Sequence, residues 1–404
     1  MFNPFPVVLA DYRRNRLLVC VTLALIALAV AIGVAVIAQE RALRQGSARA
    51  ADDFDLLVGA PGSPTQLVLT SVYLKLQSIP LVSGEVLARA STARGVRYAA
   101  PIAFGDSWQG YPVVGTIAGF ASRGGQLPPA QGRLFARRGE AVIGARVPLA
   151  LGAQIHPEHG MHRIDDEDEH HEHALTYTVV GRLPERHNVW DSAILVPVED
   201  VWAVHELPAG HAAGDTHIGP PWDATRLPGM PAIAVKPDSV AAAYGLRGAL
   251  RTNESMALFP AEVLNELYST LGNVRDVMSV LAVASQVLVV VAVLMALLVG
   301  FLARARQFAV LRAIGAGSRY VFCVIWLEAG LLIAGGAAAG LVLGYGASWL
   351  LSAWLAPRMG FAMPVTLGTE ELRLAAALAI AGLAIATLPG WLCLRRPIAD
   401  GLRA

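Results

Sequence analysis

All ten histidines of this 404-residue chain fall between His156 and His217, and that clustering is where the sequence offers chemistry. Six of them, His156, His159, His162, His170, His171 and His173, share one run with the acids of 165–169 and Glu172. Imidazole and carboxylate side chains are ligands for Zn2+, and imidazole also suits Cu2+ and Ni2+. The run (155–173) has no apolar period and reads as a loop. Lacking a fixed four-ligand spacing, it suits loose capture of a divalent metal better than a rigid structural site. A solvated acidic loop with no metal duty is the competing reading. A second loop, rich in Gly, Pro and Ala, carries His205, His211 and His217. His205-Glu206 opens like a metalloprotease motif, but Ala209 stands where the second histidine belongs, and Pro208 breaks the helix that motif needs.

Two further chemistries are excluded by composition. The only lysines are Lys75 and Lys236, and neither sits in a GxxxxGK[ST] phosphate loop, so ATP is reached only through a partner. Cys20, Cys323 and Cys393 all stand in or beside apolar segments, so the polar part of the chain folds without disulfides. No basic patch suggests nucleic acid.

Four apolar segments organise everything else: Leu17–Ala38, Val277–Leu302, Val321–Trp349 and Leu372–Leu394. Each reaches the ~20 residues that a helix needs to cross a bilayer. Arg13, Arg14, Arg16, Arg304, Arg306, Arg312, Arg319, Arg395, Arg396 and Arg403 flank one side, opposed only by Asp11 and Asp400. The positive-inside rule therefore assigns residues 1–16, 303–320 and 395–404 to the cytoplasm. The insert 39–276 and the loop 350–371 then lie outside. The insert holds 20 of the 32 Lys and Arg but 26 of the 31 Asp and Glu, so a near-neutral total hides an acidic exported domain. An α-helical membrane protein with four transmembrane helices (1+3) and a large mixed α/β extracytoplasmic domain is the fold expected.

Within the insert, Phe54–Val58, Gln66–Thr70, Tyr111–Ile117, Glu140–Ile143, Tyr177–Leu183 and Ser192–Val198 read as strands. Ser83–Thr92, Ala145–Leu151, the start of Pro197–His205 and Ala261–Arg275 read as helices. In the third span Glu328 is an acid at membrane depth, where such residues are costly. A proton relay or a buried structural acid both fit it. Gly336, Gly340 and Gly344 repeat every four residues, a spacing that lets two helices approach closely. The segment 303–320 is cationic and helix-forming as far as Gly315. Phe308, Leu311 and Ile314 recur there on one stripe, suited to a partner or to the inner lipid surface.

The segment Arg304–Gly330, with Leu311-Arg312-Ala313-Ile314-Gly315 and then Glu328, resembles the cytoplasmic loop and third span of FtsX-like permeases. The ending Pro389…Pro397…Leu402-Arg403 is similar to the close of that family. The 1+3 layout around a large insert, with Ala141–Gly152 and Tyr177–Leu183, resembles the MacB-like subgroup, which implies a MacB-like periplasmic core. The resemblance implies a mechanotransmitting ABC transporter permease of the bacterial inner membrane, working as a homodimer. A cytoplasmic ABC ATPase subunit would dock through Arg304, Arg306, Phe308, Leu311, Arg312, Ile314 and Gly315. Efflux or extraction from the periplasmic side is the function implied. With the His-rich loop it is linked to zinc or another divalent metal, held with no stably bound cofactor, and a periplasmic adaptor or metal-binding protein is a further partner. Release of lipoprotein or peptide without metal, proton-coupled metal transport through Glu328, and a bare metal receptor are the alternatives.

A peptide covering Ile155–Ala174 is expected to bind Zn2+ at micromolar affinity or tighter. Calorimetric titration giving no heat above the buffer blank removes the metal reading.

Overall fold

The computed structural model describes residues 3–159, 175–212, 214–269, 315–395 and single positions at 280, 284, 287, 291, 295, 310, 312 and 313. The chain divides into two compact units. One comprises Met1–Gln45, Gly272–Leu355 and Met363–Ala404; the other comprises Gly46–Leu271 and Ala356–Ala362.

The first unit is helical. Its described elements are α1 (Phe5–Arg14), α2 (Arg16–Ala50, whose last turn belongs to the other unit), and two late helices, Ser318–Met359 and Thr369–Arg395. Two of these, Arg16–Ala50 and the Ser318–Ala356 part of the third, are long and apolar enough to cross a membrane. They exceed the expected spans. The Ser318–Met359 helix runs well past Trp349, and the expected loop 350–371 shrinks to the non-helical stretch 360–368. The helices outlast their apolar runs because the polar residues that follow find partners, as the site geometry shows. Of the Val277–Leu302 segment only single positions are described, and these are helical.

The second unit is a mixed α/β domain. Its elements are β1 (Leu56–Gly59), α3 (Pro64–Ser71), α4 (Gly84–Thr92), β2 (Val96–Trp108), β3 (Tyr111–Thr116), α5 (Ala118–Ala121), β4 (Gln131–Gly132), β5 (Glu140–Ile143), β6 (Gln154–Ile155), β7 (Glu158–His159), β8 (Tyr177–Arg182), β9 (Ile194–Pro197), α6 (Val198–Val204), β10 (Ala232–Pro237), α7 (Val240–Leu250) and β11 (Met256–Leu258). The late helices Ser318–Met359 and Thr369–Arg395 are α8 and α9. Strand order is β11-β1-β10-β2-β3-β9-β5-β8-β4, with β6 on β8 and β7 on β2. β3 with β9 and β5 with β8 are parallel pairs. β2 serves both halves: Val96–Ile102 pairs with β10, and Ala103–Trp108 pairs with β3. The register slips between Phe104 and Asp106, so Gly105 is the extra residue of a bulge, a position that bends a strand from one sheet half toward the next. β1 and β9 are buried on both faces, which is why Leu56-Leu57-Val58 and Ile194-Leu195-Val196 are unbroken apolar runs.

Three expectations need correction. Gln66–Thr70 is helix, not strand: Ser63 caps it by accepting from Gln66 N (3.3 Å) and Pro64 occupies the first turn, and this start signal overrides the β-branched content. Ala145–Leu151 forms no helix. Pro148 has no N–H to give, and Arg182 Nη1 donates to the carbonyls of Ala145 (3.0 Å) and Val147 (2.9 Å) that a helix would have used. The run 155–173 is not loop throughout. Ile155 is fully buried and pairs with Tyr177, while Glu158 and His159 pair with β2. Of the expected helix Ala261–Arg275, residues 260–269 are helical and 270–275 lie outside the described residues.

Glu140, opening β5, receives two guanidinium N–H groups from Arg133 and the Ala136 N–H (2.9 Å). The Arg133 bonds, outweighing burial, hold its carboxyl down at about 2 from an ordinary 4.5. A depressed carboxyl stabilises the fold above its unfolded value and loses that contribution as pH falls toward the folded one. Glu140→Gln is therefore expected to lower the melting temperature at neutral pH. It should also flatten the loss of stability between about pH 4.5 and pH 2, read from thermal melts of the solubilised chain.

Candidate functional site

Among the described residues of the helical unit, α2 and α8 approach to backbone contact. A methyl placed on Gly336 would come 2.6 Å from Ile26 Cβ; on Gly340, 2.5 Å from the Ala27 carbonyl oxygen; on Gly344, 2.6 Å from that of Ala31. The row then continues through two serines. Ser348 Oγ donates to the carbonyls of Ala35 (3.3 Å) and Gly344 (2.9 Å), and Ser352 Oγ donates to Gln39 Oε1 (3.2 Å). Gly336 over Leu23, Gly340 over Ala27, Gly344 over Ala31, Ser348 over Ala35 and Ser352 over Gln39 all keep one offset of 313 residues. A constant offset means that the two helices run parallel and in fixed register. Small residues at this spacing allow backbone contact without a side chain between.

Glu328 sits two turns before Gly336 on the same row and is buried, at 7% exposure. The Tyr12 hydroxyl of α1 donates to its backbone carbonyl (2.6 Å), which ties α1 to α8. α9 packs antiparallel on the pair: Ile26, Ala329, Leu332, Ile333 and Ala386 form one apolar cluster, and Val30, Val34 and Ala375 form the next. At the far end Arg41 Nη1 lies 2.7 Å from Glu371 Oε1, and Arg41 Nη2 donates to Glu371 Oε2 (2.9 Å). Arg41 also reaches the Thr366 carbonyl (3.1 Å), while Gly368 N donates to the same carboxylate (3.0 Å). Glu371 is fully buried. Removing one partner of such a pair strands a buried charge, at a cost of about 3–5 kcal/mol.

Within the α/β unit, the chain leaving α2 is held by Asp53, which accepts from Asn188 Nδ2 (2.9 Å) and pairs with Arg186 (3.4 Å) and Arg123. Burial lowers the pKa of Arg186, with Asp191 opposing that shift. The loop bearing these groups is folded by a reciprocal cap between Asn188 and Asp191, and Trp190 Nε1 donates to the Val72 carbonyl (3.0 Å). Segment 356–362, which carries the end of α8, meets the same loop: Ala362 N donates to the His187 carbonyl (3.0 Å), and Gly360 abuts Val189. Gly360 has φ 80°, so a side chain there meets both strain and Val189.

The other expected site residues are placed unevenly. Arg312 is helical, and Gly315, at φ 101° with its N–H on the Arg312 carbonyl (3.1 Å), ends that helix in the left-handed region. Arg304, Arg306, Phe308, Leu311 and Ile314 lie outside the described residues, as do His162, His170, His171 and His173. His156 is exposed, with Nδ1 3.2 Å from Thr176 Oγ1, and β7 puts His159 in register with Asp106. Among the described residues no three His, Cys, Asp or Glu side chains form a metal-holding group. Arg41, Glu371, Ser348, Ser352 and the Asp53 cluster are absent from the sequence-based site. The serines continue the four-residue period of the glycines, but a serine in an Ala-rich helix does not by itself announce a partner.

Residues 279–400 match the family described as FtsX-like permease C-terminal, so this part of the chain is similar to FtsX-type permeases, as the resemblance read from Arg304–Gly330 implies. Among solved structures, the periplasmic region of MacB from Actinobacillus actinomycetemcomitans aligns with 55% of this chain and 95% of its own, at 10% identity and a TM-score of 0.35. The extracellular domain of the ABC-type transporter YknZ from Gram-positive bacteria aligns with 50% of this chain and 98% of its own, at 11% identity and a TM-score of 0.29. No curated protein matches the sequence.

Gly340→Ala is expected to destabilise the solubilised chain by about 1–3 kcal/mol, because its methyl meets backbone on α2. Gly346→Ala, on the same helix with nothing within 4 Å, serves as the control and is expected to be neutral or slightly stabilising. Equal melting temperatures for the two variants would refute the close contact.

Proposed function

We propose that this chain is the membrane subunit of an ABC-type machine that carries motion from a separate cytoplasmic ATPase to its α/β unit outside the cell. The observation that carries the reading is the fixed register of α2 and α8 within an FtsX-type permease segment. A lever must move as one body, and a helix pair in backbone contact over residues 336–352 has little freedom to shear. The parallel course of α2 and α8 supports the topology drawn from the arginines, since the first and third of four spans must run the same way. Their lengths support it too. At 1.5 Å per residue, helices of 35 and 42 residues extend roughly 50 and 60 Å, well beyond a ~30 Å hydrocarbon core.

The ATPase docks on 303–320, whose helical turn stops at Gly315 just before α8 begins at Ser318. Push on that corner enters α8 directly. A second copy packs through the first two spans, and the exposed apolar stripe Leu17, Val21, Leu28, Ile32 and Val36 on α2 suits it. Turnover drives efflux or extraction on the outer side. The His-rich run adds capture of a divalent metal, and the β6–β8 pairing, which brings residues 155 and 177 together, tethers both ends of that run to the sheet.

Charge reversal at Arg312 combined with Leu311→Ser is expected to abolish co-purification of the ATPase while leaving the thermal melt of the permease unchanged. Retention of the ATPase at wild-type level overturns the docking assignment.

A further inference from the structure

We propose that a cavity in the α/β unit, floored by Glu199, binds a small ligand with an alkylammonium head on an apolar stem. The cavity, of about 270 Å3, is walled by Ile117, Phe135, Ile218 and Pro220, with Tyr98, Thr116 and Glu199 as the polar side chains of its lining. It is unrelated to the helix pair and to the histidine run.

The Glu199 carboxylate is only half satisfied. It is 1% exposed, and Oε1 accepts from Gly219 N (2.8 Å) and Trp222 Nε1 (2.9 Å). His211 Nε2 stands 3.7 Å from the same Oε1. Oε2 is buried with no hydrogen-bond partner, and the Thr116 hydroxyl, in a fully buried residue, has none either. Buried polar groups are almost always paired, because leaving one unpaired costs its lost hydration. His211 Nε2, buried and also without a hydrogen-bond partner, faces Oε1, so the unpaired Oε2 and the Thr116 hydroxyl in a mostly apolar cavity are left for a donor from outside the fold.

The chemistry narrows the donor. A carboxylate repels anions, and one carboxylate with one hydroxyl is too few donors for a hard cation that takes six or more oxygens. An ammonium group gives N–H donors to both oxygens and offsets the charge. Apolar walls favour a hydrocarbon stem, and the volume lies just below the ~300–1,000 Å3 of drug-sized sites, so the ligand is a small amine or a lysine side chain. Access is beside 218–220, where Pro220 is exposed and Ile218 half-buried.

The test titrates the full-length solubilised chain with n-pentylammonium, with N-acetyl-lysine methylamide and with 1-pentanol, followed by calorimetry and saturation-transfer NMR. Saturable binding of either ammonium probe at millimolar concentration is expected, weakened at least tenfold by Glu199→Gln, with 1-pentanol binding unchanged by that substitution. The tighter of the two probes identifies the source as a free amine or a peptide lysine. Should Glu199→Gln unfold the domain, Thr116→Val and the cavity-filling Ile218→Trp are expected to weaken ammonium binding instead. No saturable binding, as for a cavity holding only water, overturns the proposal. So does undiminished binding in a folded Glu199→Gln, which would leave the carboxylate as a mere anchor for Gly219 and Trp222.

Discussion

Two helices whose contact residues keep one offset over four successive turns cannot slide without losing every contact together. That is the situation of α2 and α8, where Gly336, Gly340, Gly344, Ser348 and Ser352 lie over Leu23, Ala27, Ala31, Ala35 and Gln39. The glycines bring the backbones together, and the serines keep them there with hydroxyls that donate across the gap. Hydrophobic burial does not by itself specify register, since apolar side chains repack at modest cost. Backbone contact does, because a one-residue slip drives a Cβ into a carbonyl oxygen.

The polar groups at the Arg41 end of this pair are consequences of that register. Arg41 lies one helical turn past Ala38, and Glu371 opens α9. Only a fixed α2 presents the guanidinium where Glu371, the Thr366 carbonyl and the Gly368 amide converge. A methyl on Gly368 would fall within 2.5 Å of the Arg41 guanidinium, which would have to shift from its place beside Glu371. In the α/β unit the same economy recurs: one loop, rigidified by the Asn188–Asp191 cap, receives both Asp53 and Ala362.

Residue types revealed the helical unit more readily than the polar contacts. Apolar length and arginine placement marked the helical segments, and Gly336, Gly340 and Gly344 stood out because glycine in a helix needs a packing reason. Ser348 and Ser352 did not, because serine in an Ala-rich helix carries no distinctive signal until a partner carbonyl is known. Glu371 read as loop because hydropathy locates the edge of an apolar run, whereas the helix ends only where its polar side chains stop finding partners. In the α/β unit, short apolar runs bounded by Gly and Pro located β1, β3, β5, β8 and β9. The misread segments were those decided by single residues: Ser63 and Pro64 turned Gln66–Thr70 into helix, and Arg182, distant in sequence, took the carbonyls of Ala145–Leu151. The cavity at Glu199 was invisible for a related reason, as its walls come from β3, α6 and the 218–220 loop, brought together only by the sheet order.

Stiffness also bears on why a chain with no phosphate loop would carry such long helices. A helix that ended with its apolar run would leave the polar residues beyond it as flexible linker, and displacement at one end would be absorbed as dihedral change there. Continuing α2 through Ala50 and α8 through Met359 removes that compliance, because each residue beyond the apolar run stays in a hydrogen-bonded turn. Before α8 the opposite holds: Gly315, in the left-handed region, ends the turn at Arg312 and redirects the chain ahead of Ser318. A left-handed corner followed by an unbroken helix pair gives α8 the stiffness along its axis that the proposed role requires.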